Sequence, residues 1–303
     1  MLDFPQRATV YEVGPRDGLQ NEPNPVPTEV KVELVNRLSD AGLPYIEVSS
    51  FVHPRWIPQL GDAEDVFADI TRREGIRYGA LVPNLRGLER AKGVGLRDVA
   101  LFISSSEAHN KRNLNRSIDE SFDEIERVMN TLRGTGCWTR GYVSMVFGCP
   151  YEGDVDIDRV RKVVARLIDL GVDQVSLGDT VGLASPVSVS ERVQAITKDL
   201  PADRMALHFH DTRGTALANV LAGLDAGITI FDGAVGGLGG CPYAPGATGN
   251  VATEDLVQML HAMGVETGVD LDALTDAAAF IEEKLGKRLP GRYLRVARGN
   301  YCS

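Results

Sequence analysis

His208 and His210, separated only by Phe209, are the sharpest chemical signal in the sequence. On a β-strand successive side chains alternate faces, so both imidazoles share one side while Phe209 turns away. Two imidazoles on one face can share one cation. Asp17 and the side-chain carbonyl of Asn250 would add oxygen ligands if the strands near both ends of the chain became neighbours. Such a set leaves two positions of a six-coordinate ion open to a chelating substrate. That suits Mg²⁺, Mn²⁺ or Co²⁺ better than closed tetrahedral zinc. A pair of structural histidines is the competing reading, and the oxygen donors weigh against it.

Arg16 and Asp17 lie inside Gly14-Pro15-Arg16-Asp17-Gly18. A surface ion pair is worth little and needs no Gly-Pro before it. The segment reads instead as a rigid turn that aims both charges inward, with Arg16 placed to stabilise a developing oxyanion. Cys241 sits in residues 236–250, where glycine and proline dominate. Such a stretch suits a mobile lid, and a thiol on it could serve as acid or base once closure expels water. Cys137 and Cys149 read as buried and inert, and Cys302 as an exposed tail thiol. Lys111, Arg112 and Arg116 read as a solvated face, with a phosphate contact as the sharper alternative.

Positioning these groups requires elements, and the chain supplies a repeating pair. Short β-branched runs at 9–13, 45–48, 77–81, 98–103, 141–146, 174–177, 205–208 and 229–231 predict strands. Amphipathic segments at 28–41, 62–73, 84–93, 117–132, 156–170, 186–200, 214–226 and 253–262 predict the helices between and after them. Thr28 is the expected N-cap of the first helix, and Ser117 with Glu120 forms an expected capping box. Glycine follows three helices, at 42, 171 and 227, where a left-handed cap is expected. Eight strand–helix units predict an α/β (β/α)₈ TIM barrel, with residues 270–285 as an extra C-terminal helical segment. An open doubly wound sheet would want a G-x-G-x-x-G turn after an early strand, and there is none. Residues 1–303 are expected to be one barrel domain, with 270–303 as its helical extension and tail.

Barrel active sites are built just after the strands, at the C-terminal face. There the sequence places Arg16, Asp17 and Gln20; Glu47 and Ser50; Asn84; Ser104 to Ser106; Asp179 and Thr180; His208, His210 and Asp211. Composition narrows the partners. With 32 basic against 42 acidic residues the net charge is −10, the wrong balance for a nucleic-acid binder. No apolar run approaches the roughly 20 residues that cross a bilayer. Four scattered cysteines without a CxxC pair predict a reducing cytoplasm rather than a disulfide framework.

The residues also carry a resemblance. Val13-Gly-Pro-Arg-Asp-Gly-Leu-Gln-Asn-Glu22, Glu47-Val-Ser-Ser-Phe-Val52, Ser176-Leu-Gly-Asp-Thr180, His208-Phe-His-Asp-Thr212, Gly240-Cys-Pro-Tyr243 and Gly249-Asn-Val-Ala-Thr-Glu-Asp255 occur in order along nearly the whole chain. Together they resemble the 3-hydroxy-3-methylglutaryl-CoA lyase family. The H-x-H and Arg-Asp elements are shared with a wider group of metal-dependent barrel lyases and Claisen-type synthases, and the Gly-Gly-Cys-Pro lid is the more specific signature. The resemblance implies retro-Claisen cleavage of a 3-hydroxyacyl-CoA to acetyl-CoA and a keto acid, acetoacetate for the named substrate, as in leucine degradation and ketone-body formation.

Carried over, Asp17, His208, His210 and Asn250 match the family's ligands for a divalent cation, Mg²⁺ or Mn²⁺. Arg16 matches the arginine that stabilises the thioester enolate, and Cys241 the lid cysteine of proton transfer. Glu47 and Asp179 match acidic residues of the site, and Asp17 and His208 count as catalytic too. Gln20, Ser50 and Thr180 are the further candidates for holding what binds there. Where the family carries lysine between Glu22 and Asn24, this chain has Pro23, so a positive charge near the CoA or acid end is missing. A homo-oligomer (dimer or tetramer) in the cytoplasm, without nucleic-acid or membrane partners, completes the expectation. Three competitors remain. They are a lyase for a related 3-hydroxyacyl-CoA such as citramalyl-CoA, a Claisen-type synthase, and a silent acyl-CoA- or metal-binding protein. A synthase of the isopropylmalate type usually adds a long regulatory region, and few residues follow the eighth unit here.

Overall fold

Eight short parallel strands close on themselves in chain order. They are β1 (Thr9–Glu12), β2 (Tyr45–Ser50), β3 (Arg77–Leu81), β4 (Asp98–Ser104), β5 (Trp138–Ser144), β6 (Gln174–Asp179), β7 (Met205–Phe209) and β8 (Ile230–Gly233). The last strand pairs with the first, Thr9 opposite Ile230 and Glu12 opposite Gly233. This computed structural model describes residues 4–240 and 249–299. The ring of helices runs α1 (Thr28–Asp40), α2 (Ala63–Asp69), α3 (Leu85–Gly93), α4 (Glu107–Leu114), α5 (Ile118–Leu132) and α6 (Ile157–Asp169). It continues through α7 (Pro186–Thr197), α8 (Ala216–Asp225), α9 (Thr253–Ala262), α10 (Leu271–Leu285) and α11 (Arg292–Ala297). The fold is the expected α/β TIM barrel. No helix among the described residues is long and apolar enough to cross a membrane.

Local chemistry explains most boundaries. On α6, Val160, Val163, Val164 and Leu167 recur at helical spacing and are all buried. Ser117 and Glu120 form the capping box of α5. Gly42, Gly171 and Gly227 turn the chain out of α1, α6 and α8 at φ of +80°, +90° and +87°.

Three expectations need correction. Thr28 does not cap α1, because its hydroxyl donates to Asp62 across to α2 (2.6 Å). The fifth strand starts earlier and stops at Ser144, because Met145 takes a left-handed φ of +64° that no strand continues through. Helix α4 goes unseen in the sequence because it has no apolar stripe: its buried residues are His109 and Asn110.

Two differently built interiors result. Between strands and helices lies one continuous apolar layer that includes Ile46, Val99, Leu101, Val175, Leu207 and Phe231. Inside the barrel many inward-pointing residues are polar or aromatic: Tyr11, Arg140, Tyr142, Gln174, Ser176 and Asp232 are all buried, beside a small apolar cluster in which Leu81 and Ala100 meet Tyr142. Arg140 is 0 % exposed, donates to Gln174 Oε1 (2.7 Å) and pairs with Asp232. Its guanidinium also lies over the Tyr11 ring, 3.9 Å from the centroid.

After α10 the chain doubles back over the barrel mouth. Leu289 packs on Gly236, whose φ of +67° and lack of a side chain let Leu289 Cδ1 stand 2.3 Å from where a Cβ would be. Gly291 N–H donates to the Gly236 carbonyl (3.0 Å), and Arg292 pairs with Asp211 (2.9 Å). Lys287 reaches buried Glu22 at 2.6 Å, so a cation stands beside Pro23, where the sequence lacks one.

Candidate active site at the barrel mouth

The turn that leaves β1 organises the mouth. Residues Gly14–Gly18 form a single wide helical turn in which the Val13 carbonyl receives the N–H groups of Arg16, Asp17 and Gly18. Pro15 suits the start of such a turn, where its missing N–H is not needed. Glu12 pins it from below, accepting from Gly14 N (2.7 Å), Val235 N (2.9 Å) and Thr253 Oγ1 (2.6 Å). Burial pushes the Glu12 carboxyl up to about 7 against those three hydrogen bonds.

Arg16 and Asp17 therefore both face inward, as the Gly-Pro turn predicts. Arg16 donates to Asp17 Oδ1 (2.7 Å) and to Glu47 Oε2 (2.8 Å), and its Nε is buried without a partner. Burial would lower its pKa, but Glu47 and Asp17 outweigh that and hold the guanidinium charged. Gln20 Nε2 also donates to Asp17 Oδ1 (2.7 Å). Burial works to raise the Asp17 carboxyl, yet Arg16, His208, His210 and the Asn250 hydrogen bond bring it down to about 2. Glu47 is fully buried on β2, beside a break in the register with β3 that spans Glu47 and Ser49. Its Oε2 also accepts from Tyr142 Oη (2.8 Å), while Oε1 has no partner.

His208 and His210 stand side by side, ring centroids 5.2 Å apart, while Phe209 packs outward against Phe147. One ligating atom from each of Asp17, His208 and His210 lies within 4.8 Å of the others. Asn250 joins them because residues 249–251 pair with the end of β7, His210 opposite Asn250. Its Nδ2 donates to Asp17 Oδ2 (2.9 Å) and to the Leu238 carbonyl (3.1 Å), leaving Oδ1 buried and unpartnered. Both ring nitrogens of His210 are likewise buried with no partner. Burial, with His208 nearby, drives His210 down to about 3, so the ring is neutral and offers a lone pair. Burial also opposes charge on His208, but Asp232 and Asp17 prevail and raise its pKa. Orphaned buried acceptors facing a carboxylate and a second imidazole are what a divalent cation would satisfy.

The other expected residues divide. Asp179 lies in the mouth but gives its two oxygens to Leu183 N (2.8 Å) and Ala184 N (3.0 Å), holding the loop after β6. Burial lifts it to about 6 against those bonds. Ser50 turns its hydroxyl towards the backbone, donating to the Leu81 carbonyl and accepting from Val52 N. Thr180 is half-buried at the start of the same loop as Asp179. Asn84 and Ser106 cap α3 and α4, and Ser105 bonds the Ser144 carbonyl. Cys149 is buried and bonds Ser106 Oγ (3.0 Å), whereas Cys137 is only half-buried, contrary to expectation. Cys241 and Cys302 lie outside the described residues. Three residues escaped the sequence reading: Tyr142, Asp232 and Glu12. For Tyr142 the signal was there, since a hydroxylated side chain within a barrel strand has few reasons to exist, whereas Glu12 ends β1 and Asp232 falls beyond the expected eighth strand.

A closed (β/α)₈ barrel with two histidines, a carboxylate and a buried arginine converging at its mouth has a side-chain set that could hold a metal ion. A family model described as HMGL-like matches residues 7–281, and the chain belongs to that family. It is 52% identical over 299 residues to the hydroxymethylglutaryl-CoA lyase YngG of Bacillus subtilis, covering 99% of this chain and 100% of that one. It is 48% identical over 286 residues to the 3-hydroxy-3-isohexenylglutaryl-CoA/hydroxymethylglutaryl-CoA lyase of Pseudomonas aeruginosa, covering 94% and 95% of the two chains. Among solved structures, an HMG-CoA lyase from Acinetobacter baumannii in complex with coenzyme A and 3-methylmalate superposes with a TM-score of 0.93. That chain is 41% identical, with 100% of this chain and 99% of that one covered.

Proposed function

We propose that this chain cleaves 3-hydroxy-3-methylglutaryl-CoA to acetyl-CoA and acetoacetate, with Mg²⁺ or Mn²⁺ held by Asp17, His208, His210 and Asn250. The observation that carries the reading is the set of buried, partnerless acceptors on His210 and Asn250 beside Asp17 and His208. Near-full-length similarity to lyases of that name supports the substrate.

In the reaction the C3 hydroxyl loses its proton, the C2–C3 bond breaks, and its electron pair passes to C2 of the thioester. C3 becomes the ketone of acetoacetate, and a proton delivered to C2 completes acetyl-CoA. The cation, when bound, lowers the hydroxyl pKa and orients the oxygens of the acid end. Arg16 is already charged and fixed by two carboxylates, so its free Nε–H can meet the enolate oxygen without reorganisation. Glu47 and Tyr142 hold that guanidinium in place. Asp179 shapes the loop beside His208. Cys241, by the family resemblance, carries the proton to C2, and Gln20 steadies Asp17. Ser50 and Thr180 are proposed to shape the pocket rather than touch the acyl group.

The same resemblance supports one catalytic unit over residues 1–303, a homo-oligomer (dimer or tetramer), a cytoplasmic setting and a place in leucine degradation or ketone-body formation. The Pseudomonas relative's name favours a second reading, a lyase that accepts longer 3-substituents. Release of acetyl-CoA from a panel of 3-hydroxyacyl-CoA thioesters, with and without Mg²⁺ or Mn²⁺, tests both. Turnover of citramalyl-CoA but not of the glutaryl thioesters would overturn them.

A further inference from the structure

We infer that Asp232 is a positioning residue for the metal site: it accepts the Nδ1 proton of His208 and so commits that ring's other nitrogen to the cation. The inference rests on the metal reading above and adds a residue to it. His208 Nδ1 and Asp232 Oδ2 are 3.2 Å apart, and both side chains are buried. A neutral imidazole carries one N–H and one lone pair, so fixing the proton on Nδ1 places the lone pair on Nε2.

Asp232 is itself held on every side. Oδ1 pairs with Arg140, and Oδ2 also accepts from Ser176 Oγ (3.0 Å). Arg140 in turn is anchored by Gln174 (2.7 Å) and sandwiched by the rings of Tyr11 and Tyr142, at 3.9 and 5.1 Å. A carboxylate present only to neutralise Arg140 would need one oxygen, and here the second is directed to His208 and Ser176. His210 has no such support, since neither ring nitrogen has a partner. The two histidines are therefore unequal: one is preset by the barrel interior, and the other is free to settle on the ion. A carboxylate behind a ligating histidine fixes both ring orientation and basicity, and losing it typically weakens metal affinity by about 10–100-fold.

Metal-free protein is titrated with Mn²⁺ and the free ion followed by electron paramagnetic resonance. Asp232→Asn is expected to bind about 10–100-fold more weakly than wild type. Equal affinity would overturn the role, whereas no binding by wild type would overturn the metal reading and this role with it. Because Asn leaves Arg140 short of a buried counter-charge, the variant can fail to fold, and a measurement on wild type then decides. In the ¹⁵N-labelled, Mg²⁺-loaded protein, His208 (assigned by its loss in His208→Gln) is expected as the Nδ1–H tautomer. An Nε2–H tautomer there refutes the inference.

Discussion

Replacing Arg16 by lysine separates charge from geometry at the point where negative charge develops. Arg16 spends one terminal nitrogen on Asp17 at 2.7 Å and the other on Glu47 at 2.8 Å, and its buried Nε–H has no partner. Lysine keeps the positive charge but concentrates its donors on one atom. An ammonium that satisfies either carboxylate has no rigid third donor in the place of Nε. Loss of one preorganised oxyanion donor costs roughly 3–4 kcal/mol in the transition state, or about 10²–10³ in kcat. Because charge and Asp17 are retained, metal affinity should hold, and KM should move far less than kcat. Steady-state release of acetyl-CoA at saturating Mg²⁺ gives the split, and Mn²⁺ titration gives the control. A kcat within about threefold of wild type, with the loss appearing in KM, would place Arg16 in binding or structure and refute the assignment.

Exhaustive chelation should abolish turnover and lower Tm, and readdition of Mg²⁺ or Mn²⁺ at about 100 times Kd should restore activity and roughly 2.7 kcal/mol of stability; full activity without metal refutes the site. Cys241→Ser should slow kcat by about 10²–10⁴-fold with Mn²⁺ affinity unchanged, and near-normal turnover would send the proton by another route. Glu254 is fully buried with one oxygen unpartnered, and burial raises it from the ordinary 4.5 to about 8. The native state thus holds this proton longer than the unfolded chain. Its stabilising contribution is complete below about 4.5 and is lost as pH rises through about 8, on the order of 5 kcal/mol in all. Glu254→Gln should therefore gain on wild type in denaturant melts between pH 5 and 9, and a difference that stays flat over that range refutes the argument.

Much of this was readable in the sequence because period and position coincide. The H-x-H pair is informative only on a strand, and the strand–helix repeat that makes 205–209 a strand also puts its end at the mouth. Asn250 could be proposed as a ligand from its type, but its reason for being there is tertiary: it pairs with His210 as an extra bridge beyond β7. Ser50 and Asp179 show the limit of reading polar residues at strand ends. Both sit where expected, yet one serves the backbone of β3 and the other the amides of its own loop. Satisfying buried N–H groups near a site uses the same residue types as catalysis does, and sequence alone does not separate the two. The C-terminal return over Gly236 was invisible for a related reason. Residues 286–291 have no periodicity, and their hold on the mouth comes from single contacts such as Lys287 with Glu22.

The charges in the barrel form an alternating chain. Arg140 touches Asp232, Asp232 touches His208, His208 faces Asp17, Asp17 touches Arg16, and Arg16 touches Glu47. With His208 neutral, as a ligating imidazole is, two guanidinium groups against three carboxylates leave one net negative charge among largely buried side chains, which is costly on its own. A divalent cation between Asp17 and the histidines reverses that sign by one unit, and an anionic acyl end then restores neutrality. The same interior would oppose a neutral ligand, since the added cation would stay uncompensated. Arg140 and Asp232 cancel each other, so the preference for an acid-bearing substrate begins with Asp17 and Glu47 against Arg16 at the mouth. Breaking a buried pair such as Arg16 with Glu47 by removing one partner typically costs about 3–5 kcal/mol, so this preference and the fold's stability are drawn from the same residues.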